Sequence, residues 1–145
     1  IIETLTGSFD DAQKAAEATR GAIAQGASVV WTSGDGIGNG IAAAAAATPG
    51  VVTLGVTGEA GGLAPKVNIT SVVLDMYPTY KYWISAIKDG SFGKNFYISG
   101  LGNKGLVLSP INNIGGLVPD GLDGQVSALV EELASGKKTL PNFFE

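Results

Sequence analysis

The stretch GASVVWTSGDGIGNGIAAAAAATPGVVTLGV, residues 26–56, decides the fold. Near its two ends, residues 27–32 and 51–56 are short apolar runs rich in β-branched residues, which are typical of strands buried on both faces. Between them, the six alanines within residues 41–48 predict a helix that stops at Pro49-Gly50, and the glycine-rich segment before it predicts a loop. Strand, loop, helix and strand in this order predict a parallel β-α-β unit.

The rest of the chain continues the same alternation. We expect further strands at residues 1–6, 68–75, 94–99 and 105–110, and further helices at residues 12–25, 78–89 and 122–135. Asp10, with Gln13 three residues later, has the form of a capping box at the start of the first helix. The predicted fold class is therefore α/β, with a doubly wound, mostly parallel sheet and helices on both faces.

Composition limits the functions that are possible. With 145 residues, of which 45% are hydrophobic and 15% charged, the chain has the size and apolar content of one compact domain. A net charge of −4 argues against binding to duplex nucleic acid, which normally requires a basic face. The chain has no cysteine and no histidine, which excludes disulfides, Cys-ligated metals and the commonest general base, and we expect no cofactor. Because the first residue is Ile1 and not Met, we expect a trimmed chain or part of a longer protein.

Ligands of open α/β sheets bind beyond the carboxyl ends of the strands. Four segments occupy that position: residues 7–11, 33–40, 57–65 and 74–75. The glycine-rich segment 33–40 departs from the dinucleotide fingerprint, since Ile41 stands where a third glycine is required, and it lacks the Lys-Ser/Thr ending of a P-loop. The pattern favours a tight strand-to-helix turn, or a loop packed under a small neutral ligand, over a phosphate site.

Several residues on these segments are candidates for ligand binding. Trp31 ends a strand, where its indole is either part of the core or a stacking platform for a flat ligand. Phe9 is either a second wall of that site or an apolar staple beside the helix start. Asp35 and Glu59 are either solvated carboxylates or acceptors for the hydroxyl groups of a sugar. The full set of candidates is Phe9, Trp31, Ser33, Gly34, Asp35, Gly55, Thr57, Glu59 and Asp75.

The sequence shows no pair of nucleophile and base. Ser33 has no histidine that could activate it. An acid pair formed by Asp35 and Glu59 would be needed for a glycoside hydrolase, and no motif supports one. An α/β enzyme acting on a sugar or nucleotide, and a ligand-sensing domain of a receptor or regulator, stay as alternatives to a binding protein.

A series of short motifs runs through nearly the whole chain. They are GSFDD at 7–11, QGASVVW at 25–31, GDGIG at 34–38, LGVTGE at 54–59, TSVV at 70–73, GL at 100–101, GLV at 105–107, and ASGK at 134–137 with Pro141. In wording, order and spacing they resemble the basic membrane protein (BMP) family of ABC-transporter solute-binding lipoproteins, which includes purine-nucleoside receptors.

The resemblance implies a type I periplasmic-binding-protein fold, in which two α/β lobes close on a ligand, and it implies that this chain is the C-terminal lobe. In that family Trp31 corresponds to the aromatic residue that stacks on the base, Glu59 to an acidic residue that accepts sugar hydroxyls, and Gly55 to a glycine at which the backbone approaches the ligand. Thr57 and Leu74 depart from the family pattern, which has an aspartate and a lysine at these positions. Without the lysine, a free base or another small flat or polar solute suits the site as well as a nucleoside does.

The resulting prediction is a solute-binding protein of an ABC importer that catalyses no reaction. Its expected partners are a small-molecule ligand, an ABC permease and the missing N-terminal lobe, against which the aromatic helix within residues 78–90 would pack. Nucleic acid is not an expected partner. The expected location is extracytoplasmic, either periplasmic or anchored at the cell surface.

Overall fold

The computed structural model describes residues 1–31, 33–56 and 64–141. The chain divides into two compact units. The first contains Ile1–Val73 and Leu108–Val118, and the second contains Leu74–Val107 and Pro119–Glu145.

Within the described residues, four strands form one sheet, in the order in which they follow along the chain. They are β1 (Val29–Trp31), β2 (Val52–Gly55), β3 (Asn68–Leu74) and β4 (Leu106–Leu108). β1 pairs with β2 in parallel, and β2 pairs with β3 in parallel. Directly after β4 the chain runs antiparallel to β3, because the Ser109 N–H donates to the Ser71 carbonyl at 2.9 Å and the Asn112 N–H to the Ile69 carbonyl at 2.8 Å. The predicted fold class, an α/β fold with a mostly parallel sheet, is confirmed.

Two helices rich in small residues belong to the first unit. They are α1 (Ala12–Ala24) and α2 (Ile37–Ala46), and they pack against each other. Val30 of β1 contacts both apolar clusters of the core. The clusters are Ala15 with Ile37 and Ile41, and Ala45 with Val51 and Val67. Alanine side chains let the helix backbones approach the sheet closely, so the core is thin and consists mainly of Ala, Val and Ile.

A buried polar network joins β2, β3 and the segment after β4. Asn68 and Ser71 are each only 1% exposed. The Thr53 hydroxyl donates to the side-chain oxygen of Asn68 at 3.3 Å, and the side-chain NH₂ of Asn68 donates to the Ser71 hydroxyl at 3.1 Å. The Ser109 hydroxyl accepts from the Ser71 N–H at 2.9 Å. Such groups lie inside a protein at low cost only when they are hydrogen-bonded, so this network specifies how the strands align.

The second unit contains α3 (Tyr77–Lys88) and α4 (Leu122–Ala134), with a 3-10 turn at Leu101–Asn103 that contacts α4. Only Thr79 and Ala86 of α3 are buried, and no residue of α4 is. Tyr80 and Trp83 meet edge to face, with ring centroids 5.7 Å apart. In the described part of the chain, no helix is both long and apolar enough to cross a membrane.

Two predicted strands are absent from their positions. Residues 1–6 are mostly exposed and belong to no strand, and they line a cavity together with residues of α1 and β1. Residues 94–99 are irregular as well. Their backbone is engaged by side chains and turns, since the Asn103 amide donates to the Ile98 carbonyl at 2.8 Å and the Lys94 N–H donates to the Ser91 carbonyl at 3.1 Å.

The remaining elements lie close to their predicted positions, with three corrections. α2 begins at Ile37, inside the segment predicted as a loop. The cap of α1 is Asp11 and not Asp10, because the Asp11 carboxylate accepts from the Lys14 N–H at 3.0 Å. β1 is not buried on both faces: Val30 faces the helices, whereas Trp31 is 66% exposed at the edge of the sheet.

The contact between α1 and α2 depends on Gly40. A Cβ at this position would overlap the carbonyl oxygen of Ala12 and lie 2.7 Å from its carbonyl carbon. We therefore expect Gly40→Ala to lower the free energy of unfolding by about 1–3 kcal/mol or more, since the helices must separate. Denaturant unfolding followed by circular dichroism measures this change.

Gly38→Ala is the matched control, because it lies in the same helix and a Cβ there would meet nothing within 4 Å. Alanine is a better helix former than glycine, so this variant should be neutral or more stable by up to about 1 kcal/mol. Equal destabilisation by both variants would contradict the close contact.

Candidate functional site

The loop between residues 6 and 11 is organised by Ser8. Its hydroxyl donates to the Asp10 carboxylate at 2.7 Å and accepts from the Asp11 N–H at 3.1 Å. Its carbonyl accepts from the Thr6 hydroxyl at 2.9 Å. These bonds turn the chain sharply into α1, where Asp11 takes over as the N-cap.

The same loop is bonded to the start of α2 through one carbonyl group. The Phe9 carbonyl oxygen accepts from the Gly36 N–H at 2.9 Å and from the Ile37 N–H at 3.3 Å. A Cβ on Gly36 would lie only 3.0 Å from the Asp10 α-carbon, so glycine permits this approach. Two loops that are distant in sequence therefore form one continuous surface, and the glycine-rich run is explained by backbone packing.

A cavity of about 680 Å³ opens beside this surface, within the size range of small-molecule sites. Phe9, Trp31 and Ser33 line it on the loop side. Phe9 is 74% exposed and Trp31 is 66% exposed, so part of each aromatic residue is accessible at the cavity. The opposite walls consist of the extended residues 1–6 and of the inner side of α1. Aromatic faces with a few hydroxyl groups at the rim can stack on a flat solute and hydrogen-bond to its edge.

The structure brings three of the nine predicted ligand-binding residues, Phe9, Trp31 and Ser33, to the cavity. Gly34 lies directly beside them, since a Cβ there would be 3.4 Å from the Phe9 ring. Asp35 is exposed on the same loop but does not line the cavity.

The other predicted residues have different surroundings. Gly55 is buried in β2, opposite Ser71 of β3. Asp75 lies in the second unit, where its carboxylate accepts from the Tyr77 N–H at 2.9 Å at the start of α3. Thr57 and Glu59 lie outside the described residues. The roles of all nine residues in ligand binding stay predictions.

Sequence reasoning missed one wall of the cavity. Glu3, Thr4 and Thr6 line it because residues 1–6 run along its rim and not within a sheet. Thr19 of α1 also lines it and is only 4% exposed. A threonine within an alanine-rich inner stripe was the available signal for Thr19, whereas the path of residues 1–6 depends on tertiary packing.

Metal binding has no support in the described part of the chain, where no group of three or more acidic side chains lies close enough to hold an ion. Among the described residues that line the cavity, the one acidic side chain is that of Glu3.

Solved structures provide the comparison with known proteins. The chain is 47% identical to an ABC transporter solute-binding protein from Conexibacter woesei DSM 14684, with a TM-score of 0.74 over 99% of this chain and 47% of that chain. A transcriptional activator of the comK gene from Bacillus halodurans matches at 18% identity and a TM-score of 0.77, over 93% of this chain and 46% of that chain. ABC transporter solute-binding proteins from Aeropyrum pernix K1 match at 20% identity and a TM-score of 0.72, over 98% of this chain and 48% of that chain. No protein-family model and no curated protein matches the chain.

These matches show that the chain shares its α/β fold with about half of each of these solved proteins. The chain spans about half the length of each solved protein. The two matches near 20% identity establish the fold alone, and the match at 47% identity adds a solute-binding protein of an ABC system as a neighbour in sequence as well as in structure.

The capping carboxylate of Asp11 makes the stability of this loop depend on pH. Hydrogen bonding to the Lys14 N–H lowers the pKa of Asp11 below its ordinary value of 3.8. The stabilisation is therefore present above the unfolded value and is lost as the pH falls through the lower pKa of the folded state. We expect Asp11→Ala to lower the thermal midpoint by a few degrees at neutral pH and by less in acid.

Asp11→Asn is the control, because its side-chain oxygen accepts the same hydrogen bond and does not titrate. This variant should keep most of the stability at neutral pH and remove the acid-dependent part below about pH 4. An Asp11→Ala variant with an unchanged midpoint at neutral pH would contradict the capping role.

Proposed function

We propose that this chain is one lobe of a solute-binding protein of an ABC importer and that it captures a small planar or polar solute. The observation that carries the proposal is the 47% identity, over 99% of the chain, to an ABC transporter solute-binding protein. The cavity beside the loops that precede α1 and α2 supports the proposal, because binding of a solute requires a cavity of this kind. Catalysis would require a nucleophile and a base in addition.

The ligand binds against Phe9 and Trp31. Both rings are exposed where a folded chain would normally cover them, and both line the same cavity. Ser33 supplies a hydroxyl at the rim. Asp35, which is exposed on the same loop although it does not line the cavity, and Glu59 are the carboxylates proposed to accept hydroxyl groups of the solute. A nucleoside, a nucleobase or a solute of similar shape fits this set, and the chain uses no cofactor to bind it.

A second lobe completes the capture site. α3 carries a stripe formed by Tyr77, Tyr80, Ile84 and Ile87, which are between 53% and 70% exposed. Their spacing of three and four residues puts them on one face of the helix. The solved solute-binding protein is about twice as long as this chain, so it includes a comparable length of polypeptide that could cover such a face. We assign the stripe to contact with the N-terminal lobe of the same receptor.

This function implies the remaining partners and the location. Closure of the two lobes on the solute produces the form that an ABC permease receives. The protein would work outside the cytoplasm, in the periplasm or anchored at the cell surface. Affinity comes from stacking and hydrogen bonds, and no bond of the solute is broken.

Replacing Trp31 tests the site. Stacking of an aromatic side chain on a flat ligand contributes about 1–3 kcal/mol, so Trp31→Ala should weaken binding of a responding nucleoside or nucleobase by roughly tenfold or more. Trp31→Phe keeps an aromatic face and should lose less. Isothermal titration calorimetry or ligand-observed NMR on a panel of nucleosides and nucleobases measures the effect.

Trp83→Phe is the control, because Trp83 lies on α3 in the second unit and does not line the cavity. It should bind as the unchanged chain does. Ligand binding that is insensitive to Trp31→Ala would remove Trp31 from the site, and conversion of a panel member into product would replace the binding function by an enzymatic one.

The α3 stripe is tested by adding the other half of a receptor. The double variant Ile84→Ser/Ile87→Ser should bind less 1-anilinonaphthalene-8-sulfonate (ANS) than the unchanged chain, since the exposed apolar area is smaller. The half of the Conexibacter woesei protein outside the match, produced separately, should suppress dye binding to the unchanged chain and bind the double variant at least about tenfold more weakly.

Ser85→Asn is the control on the same helix, because Ser85 is exposed and does not lie three or four residues from any position of the stripe. It should leave dye binding and association unchanged. Equal association of the unchanged chain and the Ile84→Ser/Ile87→Ser variant with the added half would show that the stripe is not the contact between lobes.

A further inference from the structure

The net charge of the chain is located entirely in its first part. Residues 1–65 contain two basic and six acidic residues, a net charge of −4, whereas residues 66–145 contain seven of each. The six acidic residues are Glu3, Asp10, Asp11, Glu17, Asp35 and Glu59. The loops and the helix that surround the cavity all belong to this acidic part.

The two basic residues of this part do not offset the charge at the cavity. Lys14 lies on α1 with its ammonium group 3.7 Å from the Asp11 carboxylate, and Arg20 is exposed further along the same helix. Neither lines the cavity, and among the described lining residues the one charged side chain is that of Glu3. Residues 32 and 57–63, which lie outside the described ranges, include Glu59 and no Lys or Arg.

Two N–H groups at the positive end of α2 are already engaged. A helix N-terminus in this position of an α/β fold is often where a phosphate or carboxylate binds, through free backbone N–H groups. Here the Gly36 and Ile37 N–H groups both donate to the Phe9 carbonyl oxygen, at 2.9 and 3.3 Å. The Asp10 backbone lies against Gly36, so the loop that carries Phe9 takes the place in which an anion would sit.

From these observations we propose that the site selects against anionic solutes and takes uncharged or cationic planar ones, with the Phe9 carbonyl as the group that excludes an anion from the start of α2. The inference rests on the proposed binding function and narrows its ligand class. We expect phosphorylated and carboxylate-bearing compounds to bind more weakly, because the described cavity lining carries the Glu3 carboxylate and no basic side chain, whereas exposed aromatic side chains favour a ring that is neutral or carries positive charge.

The test uses one ring in three charge states: 1-methylnicotinamide, nicotinamide and nicotinate, which are cationic, neutral and anionic at neutral pH. The Trp83→Phe variant leaves Trp31 as the single tryptophan, so its indole N–H gives one NMR signal. At low salt the cation and the neutral compound should shift this signal, and nicotinate should bind roughly tenfold more weakly than nicotinamide. The difference should shrink as salt is raised.

A second measurement reads the local potential without any ligand. At constant ionic strength, the ratio of caesium to iodide quenching of Trp31 fluorescence should be roughly twofold higher than for N-acetyltryptophanamide. Asp35→Asn should reduce this ratio. Glu131→Gln, on α4 in the second unit, is the control and should leave it unchanged.

The outcomes separate the two proposals. Nicotinate binding as tightly as nicotinamide, or a quenching ratio equal to that of the free indole, overturns the charge selection and leaves the binding function standing. A high quenching ratio, with no shift of the Trp31 signal by any of the three compounds, would show a negative potential at Trp31 but would overturn both Trp31 as a stacking platform and the charge selection proposed for that site.

Discussion

The close packing of α1 on α2 is the constraint on which the first unit depends. At Gly40 the second helix touches the Ala12 backbone without an intervening side chain, and a few residues earlier the Phe9 carbonyl oxygen accepts the first N–H groups of the same helix. Because the helices are this close, the loops before them meet. The exposed rings of Phe9 and Trp31 consequently line one cavity, although 21 residues separate them in the chain.

In this geometry the glycine-rich loop before α2 is explained by backbone packing. Glycine at position 36 allows the Asp10 backbone to approach, and the N–H groups that such a loop often offers to phosphate are bonded within the protein. An aromatic surface in an acidic part of the chain remains as the surface that we propose for binding. Stacking and hydrogen bonding from a scaffold of packed helices suit reversible capture, since the binding groups are held in place before the ligand arrives.

Large and small side chains are distributed unevenly between the interior and the surface of the described residues. The largest fully buried side chains are Asn68 and Ser71, and the apolar core around them is built from small residues. Bulky apolar side chains, by contrast, are frequent on the surface, on α3 above all. Binding of a further polypeptide to these exposed apolar side chains would be favourable, because it removes apolar area from water. The proposed two-lobe receptor accounts for this distribution.

Much of the fold followed from the sequence alone. Apolar runs, the alanine helix and the Pro and Gly stops between residues 26 and 56 predicted the β-α-β unit because these are local signals, and the loop aromatics Phe9 and Trp31 were identifiable from their positions beside it. Tertiary structure decided what depends on distant partners. Residues 1–6 have strand-like composition, but a strand exists only beside a neighbour, and here a cavity intervenes. The start of α2 at Ile37 depends on the Phe9 carbonyl of another loop, which accepts the N–H groups there. The exposure of Trp31 follows from the position of β1 at the edge of the sheet. The Asn68 network requires three segments that no local sequence pattern connects.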